Sequence, residues 1–185
     1  MSQIISGGNA LVSANLVLSK ARVGDKMKVA DLGCGSSGHY IFPAAKMVGK
    51  NGLVYAVDIL KVVLEGINRR IRQDNFKNIK TVWSDLEIFG ATKIESGSLD
   101  VVMLNNTLYL SHKRAEMLRE AVRMLKKEGK LLVVEWKNIF SPFGPPSEER
   151  VQIDLLKNAA AKLGLKLEEE FEAGQFHYGL IFTKM

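Results

Sequence analysis

The most informative segment of the chain reads Val29-Ala30-Asp31-Leu32-Gly33-Cys34-Gly35-Ser36-Ser37-Gly38. It lies between a predicted strand, Lys28–Asp31, and a predicted helix that runs to about Val48. Its three glycines have the spacing G-x-G-x-x-G, in which glycines let the backbone turn tightly and approach a ligand closely. Because more than one class of nucleoside-binding enzyme uses this turn, the spacing predicts a ligand site there and leaves the ligand undecided.

Strand and helix patterns alternate along the rest of the chain, which favours a mostly parallel sheet with helices on both faces. Further strands are predicted at Leu53–Asp58, Ile79–Trp83, Leu99–Leu104 and Leu131–Glu135. Helices are predicted at residues 9–20 with Asn9 as the N-cap, at 61–74, from Ser111 to about Lys127 with Gly129 ending it, and at 148–163.

The carboxyl-terminal part departs from this alternation. Leu165–Phe171 and Phe176–Lys184 are two extended runs separated by only four residues. Parallel strands need a connection of a dozen or more residues, so this pair is predicted to be an antiparallel hairpin. We expect one domain over residues 1–185, with residues 1–25 as an amino-terminal helical extension.

Composition narrows the class of protein. The chain has 185 residues, 46% of them hydrophobic, and a net charge of +6. No apolar run approaches the roughly 20 residues of a membrane span, and the amino terminus reads as mature sequence because it lacks a signal-peptide pattern. The single cysteine, Cys34, excludes an internal disulfide and fits a reducing cytoplasm. Part of the positive charge falls on predicted helix faces, and the sequence shows no clustering of cations on one face, so we expect no strong nucleic-acid binding.

Three features favour S-adenosylmethionine over a nicotinamide dinucleotide. Asp31, two residues before Gly33, suits a ligand with an ammonium and a sulfonium group and would sit poorly beside a pyrophosphate. Asp58 ends a strand, where a carboxylate can accept both ribose hydroxyls, a feature that dinucleotide enzymes share. The terminal hairpin is antiparallel, whereas a plain dinucleotide-binding fold ends with parallel strands. A nicotinamide-dependent oxidoreductase is the weaker alternative.

The chain resembles the class I S-adenosylmethionine-dependent methyltransferases from about Lys26 to its end. Five segments carry the resemblance to the family's motifs: Asp31–Gly38, Val54–Asp58, Trp83–Leu86, Leu99–Asn106 and Met124–Glu135. It implies a Rossmann-like, doubly wound, seven-stranded sheet of order 3-2-1-4-5-7-6, with strand 7 antiparallel. It also implies that Asp58 binds ribose and Asp85 the adenine amino group. The implied cofactor-binding residues are Asp31, Gly33, Cys34, Gly35, Gly38, Asp58, Ile59, Asp85, Leu86 and Asn105.

A looser resemblance is to small-molecule enzymes of quinone biosynthesis. Glu135-Trp136-Lys137, Gly144-Pro145-Pro146 and Arg150 carry it, and it assigns no substrate. Asn105-Asn106-Thr107-Leu108 lacks the Pro-Pro-aromatic turn of base N-methylating enzymes. It also lacks the carboxylates of metal-dependent catechol enzymes, so we expect no catalytic metal.

The acceptor is predicted to be a small organic molecule, because 185 residues leave no room for a large recognition domain. In-line methyl transfer depends mainly on positioning, so no catalytic residue is assigned. The predicted acceptor pocket contains Tyr109, His112 and Trp136, with the loop Ser141–Ser147 as a wall and His177 at its edge. The segment Ser6–Asn9 could fold over the cofactor.

Two alternatives keep the cofactor. An RNA or protein acceptor is motivated by the net charge of +6. A non-catalytic cofactor-binding module is motivated by the lack of an evident general base. A homodimer is one assembly state that the sequence leaves open.

Overall fold

The computed structural model describes residues 8–185. Its strands are β1 Lys28–Leu32, β2 Leu53–Asp58, β3 Ile79–Trp83, β4 Leu99–Asn105, β5 Leu125–Trp136, β6 Leu165–Gly174 and β7 His177–Lys184. They form one sheet in the order β3-β2-β1-β4-β5-β7-β6. Strand β7 is antiparallel to both neighbours, and the other pairs are parallel. The predicted strand order and the antiparallel last strand are both confirmed.

Helices cover both faces of the sheet. They are α1 Ala14–Lys20, α2 Ile41–Val48, α3 Lys61–Gln73, α4 Arg114–Met124 and α5 Ile153–Lys162, with short 3-10 helices at Gly8–Leu11, Leu108–Leu110 and Ser147–Glu149. Helices α1, α2 and α3 pack on one face and α4 and α5 on the other, each set in its own apolar cluster. Because both faces are covered, the central strands β1 and β4 are buried along nearly their whole length instead of at alternate residues. No helix within the described residues is long and apolar enough to cross a bilayer.

The central strands β1 and β4 create the crevice in which a ligand is expected. They are neighbours in the sheet although about 70 residues of sequence, including β2 and β3, separate them. The chain therefore leaves β1 toward one edge of the sheet and leaves β4 toward the other. The connections diverge at the carboxyl ends of these two strands, and ligands of open α/β sheets bind at such points.

The amino-terminal helix begins later than predicted. Asn9 is not its N-cap, because Gly8–Leu11 forms a separate 3-10 helix. The N-cap of α1 is Ser13, whose hydroxyl oxygen accepts a hydrogen bond of 3.4 Å from the Leu16 N–H. The break frees residues 9–12 to follow the edge of the sheet.

The boundary between α4 and β5 also differs from the prediction. The helix ends at Met124 and β5 begins at Leu125, so Gly129 lies within a strand and ends no helix. Leu125 is buried and pairs with Leu99 beside a bulge. A Cβ atom on Gly129 would lie 2.9 Å from the Lys126 carbonyl oxygen and 3.0 Å from that of Leu99. The glycine therefore permits this close backbone approach.

Three further ends of helices and strands differ from the prediction. Ser111 does not cap α4, since its hydroxyl donates to Glu87 and accepts from the Lys113 N–H. The last helix begins at Ile153 and not at residue 148, because a 3-10 helix precedes it. The hairpin turn contains only Gln175 and Phe176, because β6 continues to Gly174.

Candidate functional site

The glycine turn has one open side. Gly33 and Gly35 have φ angles of +78° and +65°, a region that L side chains rarely adopt. A Cβ atom on Gly33 would lie 2.5 Å from the Thr107 side chain, so the turn packs against the segment after β4. A Cβ atom on Gly35 would meet nothing within 4 Å. The turn therefore leaves room for a ligand at Gly35.

Asp58 joins the end of β2 to this turn. One carboxylate oxygen accepts from the Gly35 N–H at 3.1 Å, and the other accepts from the Leu60 N–H at 2.9 Å. A carboxylate has about four acceptor positions, so capacity for two hydroxyl donors remains. The structure gives Asp58 a role in holding the turn that sequence reasoning did not anticipate.

Asp31 and Asn105 lie near each other on one face of the sheet. Asp31 pairs with Met103, two residues before Asn105, and side chains two apart on a strand share a face. Both are 1% exposed, and neither Asp31 Oδ2 nor the Asn105 amide has a hydrogen-bond partner within residues 8–185. Burial raises the pKa of the Asp31 carboxyl to about 7, and the charge of Asp58 adds to this. Buried polar groups are normally paired, so these residues fit a ligand with an ammonium group.

The other predicted cofactor residues lie around this centre. The Ser84 N–H donates to the Asp58 carbonyl at 3.2 Å, which brings the segments after β2 and β3 together. Asp85 is half-buried, Leu86 is buried and Ile59 is exposed. Burial and the nearby charges of Asp31 and Asp58 raise the pKa of the Cys34 thiol, so it is no nucleophile.

A buried aromatic pair lies at the end of β5. Trp136 is paired directly with His177 of β7, with ring centroids 4.1 Å apart. Val134 pairs with Asn105, and Trp136 follows two residues later on the same face. Neither ring nitrogen of His177 nor the Trp136 indole N–H has a partner in the described part of the chain. Burial lowers the pKa of His177 to about 4, aided by Lys137 and Arg150, so the ring is neutral at pH 7.

The loop after β5 lies against this pair. A Cβ atom on Gly144 would be 2.7 Å from the Trp136 ring, so the loop backbone rests on the indole. Arg150 holds the loop in place: its Nε donates to the Pro145 carbonyl at 3.0 Å, and its Nη1 donates to the Lys137 and Ile139 carbonyls. An open cavity of about 710 Å³ is lined by Arg150 and by residues 138–141 and 144–147 of this loop, and neither Tyr109 nor Trp136 lines it. Sequence reasoning cited Arg150 only for a resemblance, because its long reach is not visible in sequence.

The segment after β4 is fixed by a buried acid. Glu135 accepts from the Thr107 N–H at 3.0 Å and the Leu108 N–H at 2.7 Å. Burial raises its pKa to about 7, although these hydrogen bonds oppose the shift. They place the half-buried Tyr109 beside the carboxyl end of β5. His112 is exposed, so it lies at the surface and outside the buried cluster.

Residues 9–12 cross the carboxyl edge of the sheet. Asn9 accepts from the Asn106 side-chain amide at 3.0 Å, and His39 Nε2 lies 2.8 Å from the Val12 carbonyl oxygen. A Cβ atom on Gly174 would lie 2.8 Å from the Leu11 carbonyl oxygen, so the segment reaches from β6 to the glycine turn. Of the segment predicted to fold over the cofactor, Ser6 and Gly7 lie outside the described residues. No group of three metal-binding side chains occurs within residues 8–185.

Comparisons with known proteins converge on one family. The family described as "Methyltransferase domain" matches residues 24–139. The chain is 32% identical to an arsenite methyltransferase of Aquipseudomonas alcaligenes, over 58% of this chain and 32% of that protein. It is 30% identical to the ubiquinone/menaquinone biosynthesis C-methyltransferase UbiE of Laribacter hongkongensis, over 78% of this chain and 57% of that protein. The chain thus spans between a third and just over half of the length of these relatives.

The fold has a similar solved counterpart. A structure described as an SAM-dependent methyltransferase from Aquifex aeolicus superimposes with a TM-score of 0.86, covering 95% of this chain and 91% of that chain. The sequence identity is 22%, so the likeness shows the fold alone.

Proposed function

Because the chain belongs to the methyltransferase domain family, we propose that it transfers a methyl group from S-adenosylmethionine to a small organic acceptor. The match to this family confirms the methyltransferase family that the sequence resembles, and it confirms S-adenosylmethionine as the cofactor. The observation that carries the acceptor side of the proposal is the buried Trp136–His177 pair, which has unpartnered ring nitrogens on the same sheet face as Asn105.

On the cofactor side, each contact has a distinct chemical basis. The Asp31 carboxylate would pair with the ammonium group, and the remaining lone pairs of Asp58 would accept the ribose hydroxyls. Asp85 and the Leu86 N–H would bind the adenine. When bound, S-adenosylmethionine supplies a methyl group that its sulfonium charge has already activated. Residues 9–12, through Asn9, would exclude water from the methionine end.

On the acceptor side, the chain would act mainly by positioning. Trp136 and the loop backbone at Gly144 that covers it would form one boundary of the acceptor site. Tyr109 packs against the apolar cluster of α4 and α5, so it would border the site only at the rim of the sheet. The His177 ring would orient the acceptor by a hydrogen bond and not act as a base, because its pKa of about 4 makes it a weak proton acceptor at pH 7. These features suit a flat, conjugated molecule placed about 3 Å from the methyl carbon.

The names of the two relatives indicate different acceptors, arsenite in one and a compound of ubiquinone or menaquinone biosynthesis in the other. The two kinds of acceptor differ in the ligands that they need from the protein. Arsenic(III) is a soft centre that favours thiolate ligands. Cys34 is the only cysteine in this chain, and it is buried with a raised thiol pKa. We therefore favour a quinone-like or other conjugated carbon acceptor over arsenite. A cytoplasmic location and a homodimer stay predictions.

The test is a screen of metabolite fractions with isotopically labelled S-adenosylmethionine, combined with calorimetry of S-adenosylhomocysteine and NADH. We expect label in a small organic product and heat from S-adenosylhomocysteine alone. Tight NADH binding without S-adenosylhomocysteine binding would refute the cofactor side. Label incorporated only into RNA or protein would refute the acceptor side.

A further inference from the structure

Arg150 is a buried cation with part of its guanidinium unused. The residue is 7% exposed and forms no ion pair with any carboxylate among the described residues. Its Nε donates to one backbone carbonyl and its Nη1 donates to two, so all N–H groups of these two nitrogens are used. Its Nη2 makes no hydrogen bond within residues 8–185. Nη2 is not among the fully buried side-chain atoms that lack a partner, so it is accessible to a ligand at the surface of the loop.

The guanidinium borders the cavity of about 710 Å³ under the loop. Apolar groups line much of that cavity, namely Ile139, Phe140, Pro145 and Pro146, and no Asp or Glu lines it. Phe140 is 94% exposed, an unusual position for a large apolar side chain. Asn138, Ser141 and Ser147 also line the cavity, so it combines apolar and polar walls with one unpaired cation. Such a cavity is complementary to an anion with an apolar body.

The same cavity adjoins the aromatic pair. Gly144 both lines the cavity and rests on the Trp136 ring. Lys137 is the other cation close to His177, but it is paired with Glu172 and does not line the cavity. Arg150 is therefore the cation left to meet a ligand that enters this cavity, on the loop whose backbone covers the indole.

We propose that the acceptor is a flat carboxylic acid, whose carboxylate accepts a hydrogen bond from Nη2 of Arg150 while its conjugated body packs on the apolar lining of the cavity, beside the loop that covers Trp136. The contact would be a charge-assisted hydrogen bond from Nη2 alone, because Nε and Nη1 already donate to backbone carbonyls. The inference rests on the proposed function, since it names the substrate class of the same site. The competing role of Arg150 is to anchor the loop and nothing more.

The test compares an acid with its neutral isostere. The chain has two tryptophans, so a Trp83→Phe background makes Trp136 the reporter. 2-Naphthoate and 2-naphthamide are titrated in the presence of S-adenosylhomocysteine while Trp136 fluorescence is followed. We expect the acid to bind about tenfold or more tightly than the amide, the scale of a hydrogen bond to a charged group. Equal binding, or no response to either compound, overturns the proposal.

Variants separate charge recognition from loop anchoring. Arg150→Gln should reduce the preference for acid over amide to about threefold or less, and Arg150→Lys should retain part of it. Lys137→Gln, which removes a nearby cation outside the cavity, should leave the preference unchanged. A preference that survives Arg150→Gln overturns the assignment of Arg150. The comparison of acid and amide on the unaltered site does not depend on how a variant folds.

Binding of S-adenosylhomocysteine is measured by calorimetry in the same samples. A site that binds this compound and methylates a neutral acceptor, without preferring the acid, would refute the carboxylate inference and leave the proposed function standing. If the unaltered protein does not bind S-adenosylhomocysteine, the proposed function itself is refuted.

Discussion

At the scale of single residues, the buried acid Asp31 links stability to pH. Its pKa is about 7 in the folded protein against 3.8 for the ordinary carboxyl. A raised pKa means that the contribution of the group to stability is complete below pH 3.8 and is lost as the pH rises toward 7. The loss approaches about 4 kcal/mol at about 1.4 kcal/mol per pKa unit.

Asp31→Asn should therefore gain stability relative to the unaltered protein as the pH rises from 5 to 8. Without ligand, the difference in melting temperature between the two proteins at each pH measures this. Asp100→Asn is the control, since Asp100 is a half-buried acid at the opposite end of the sheet. If the difference in melting temperature between Asp31→Asn and the unaltered protein is the same at pH 5 and pH 8, ionisation of Asp31 does not destabilise the fold.

Asp58 combines a structural and a ligand-binding role. Asp58→Ala should weaken S-adenosylhomocysteine binding by roughly 1.5 to 3 kcal/mol, the scale of hydrogen bonds to a charged group. It should also lower the melting temperature, because the N–H groups of Gly35 and Leu60 lose their acceptor. Calorimetry and thermal melts measure the two effects separately. An unchanged dissociation constant would remove Asp58 from the cofactor site.

At the scale of elements, α4 holds the loop that precedes β4. The fully buried Glu120 accepts from the N–H groups of Gly90 and Thr92 and from Arg123. Burial raises the pKa of the Glu120 carboxyl, but the hydrogen bonds from Arg123, Gly90 and Thr92 outweigh it and lower the pKa to about 2. Its stabilising effect is therefore present above pH 4.5 and is lost as the pH falls toward 2.

Glu120→Gln should lower the free energy of unfolding by about 3 kcal/mol, because it leaves Arg123 without its buried partner. The control lies on the same helix: Glu116→Gln breaks the exposed pair with Arg119 and should cost less than about 1 kcal/mol. Urea denaturation at pH 7 measures both variants. If both variants lose the same free energy of unfolding, the buried ion pair of Glu120 contributes no more to stability than the exposed pair of Glu116.

At the scale of the whole molecule, much of the positive charge is already compensated. Ten of the 26 Lys and Arg side chains form ion pairs within the described residues. Binding through phosphates weakens steeply with salt. We expect RNA affinity, measured by fluorescence anisotropy, to be weak and nearly abolished at physiological salt. A salt-resistant, sequence-selective complex would favour an RNA acceptor instead.

Local features of the sequence determined the bounds of several strands, the glycine turn and the terminal hairpin, whereas the strand order came from the resemblance to a family. The bounds of β2 and β3 followed from short apolar runs that end at turns, and the glycine turn followed from spacing. The hairpin followed from the short connection between two extended runs, which excludes a parallel pair. These predictions succeeded because the forces involved act over a few residues.

Tertiary structure decided the boundaries and the acceptor side. Leu125 leaves the helix because burial against Leu99 outweighs its helical preference. Trp136 and His177 meet only through the register of two antiparallel strands, and Arg150 reaches the loop only through the path of the chain around it. Such contacts depend on how distant segments pack, because a register shift of one residue would turn each side chain to the opposite face.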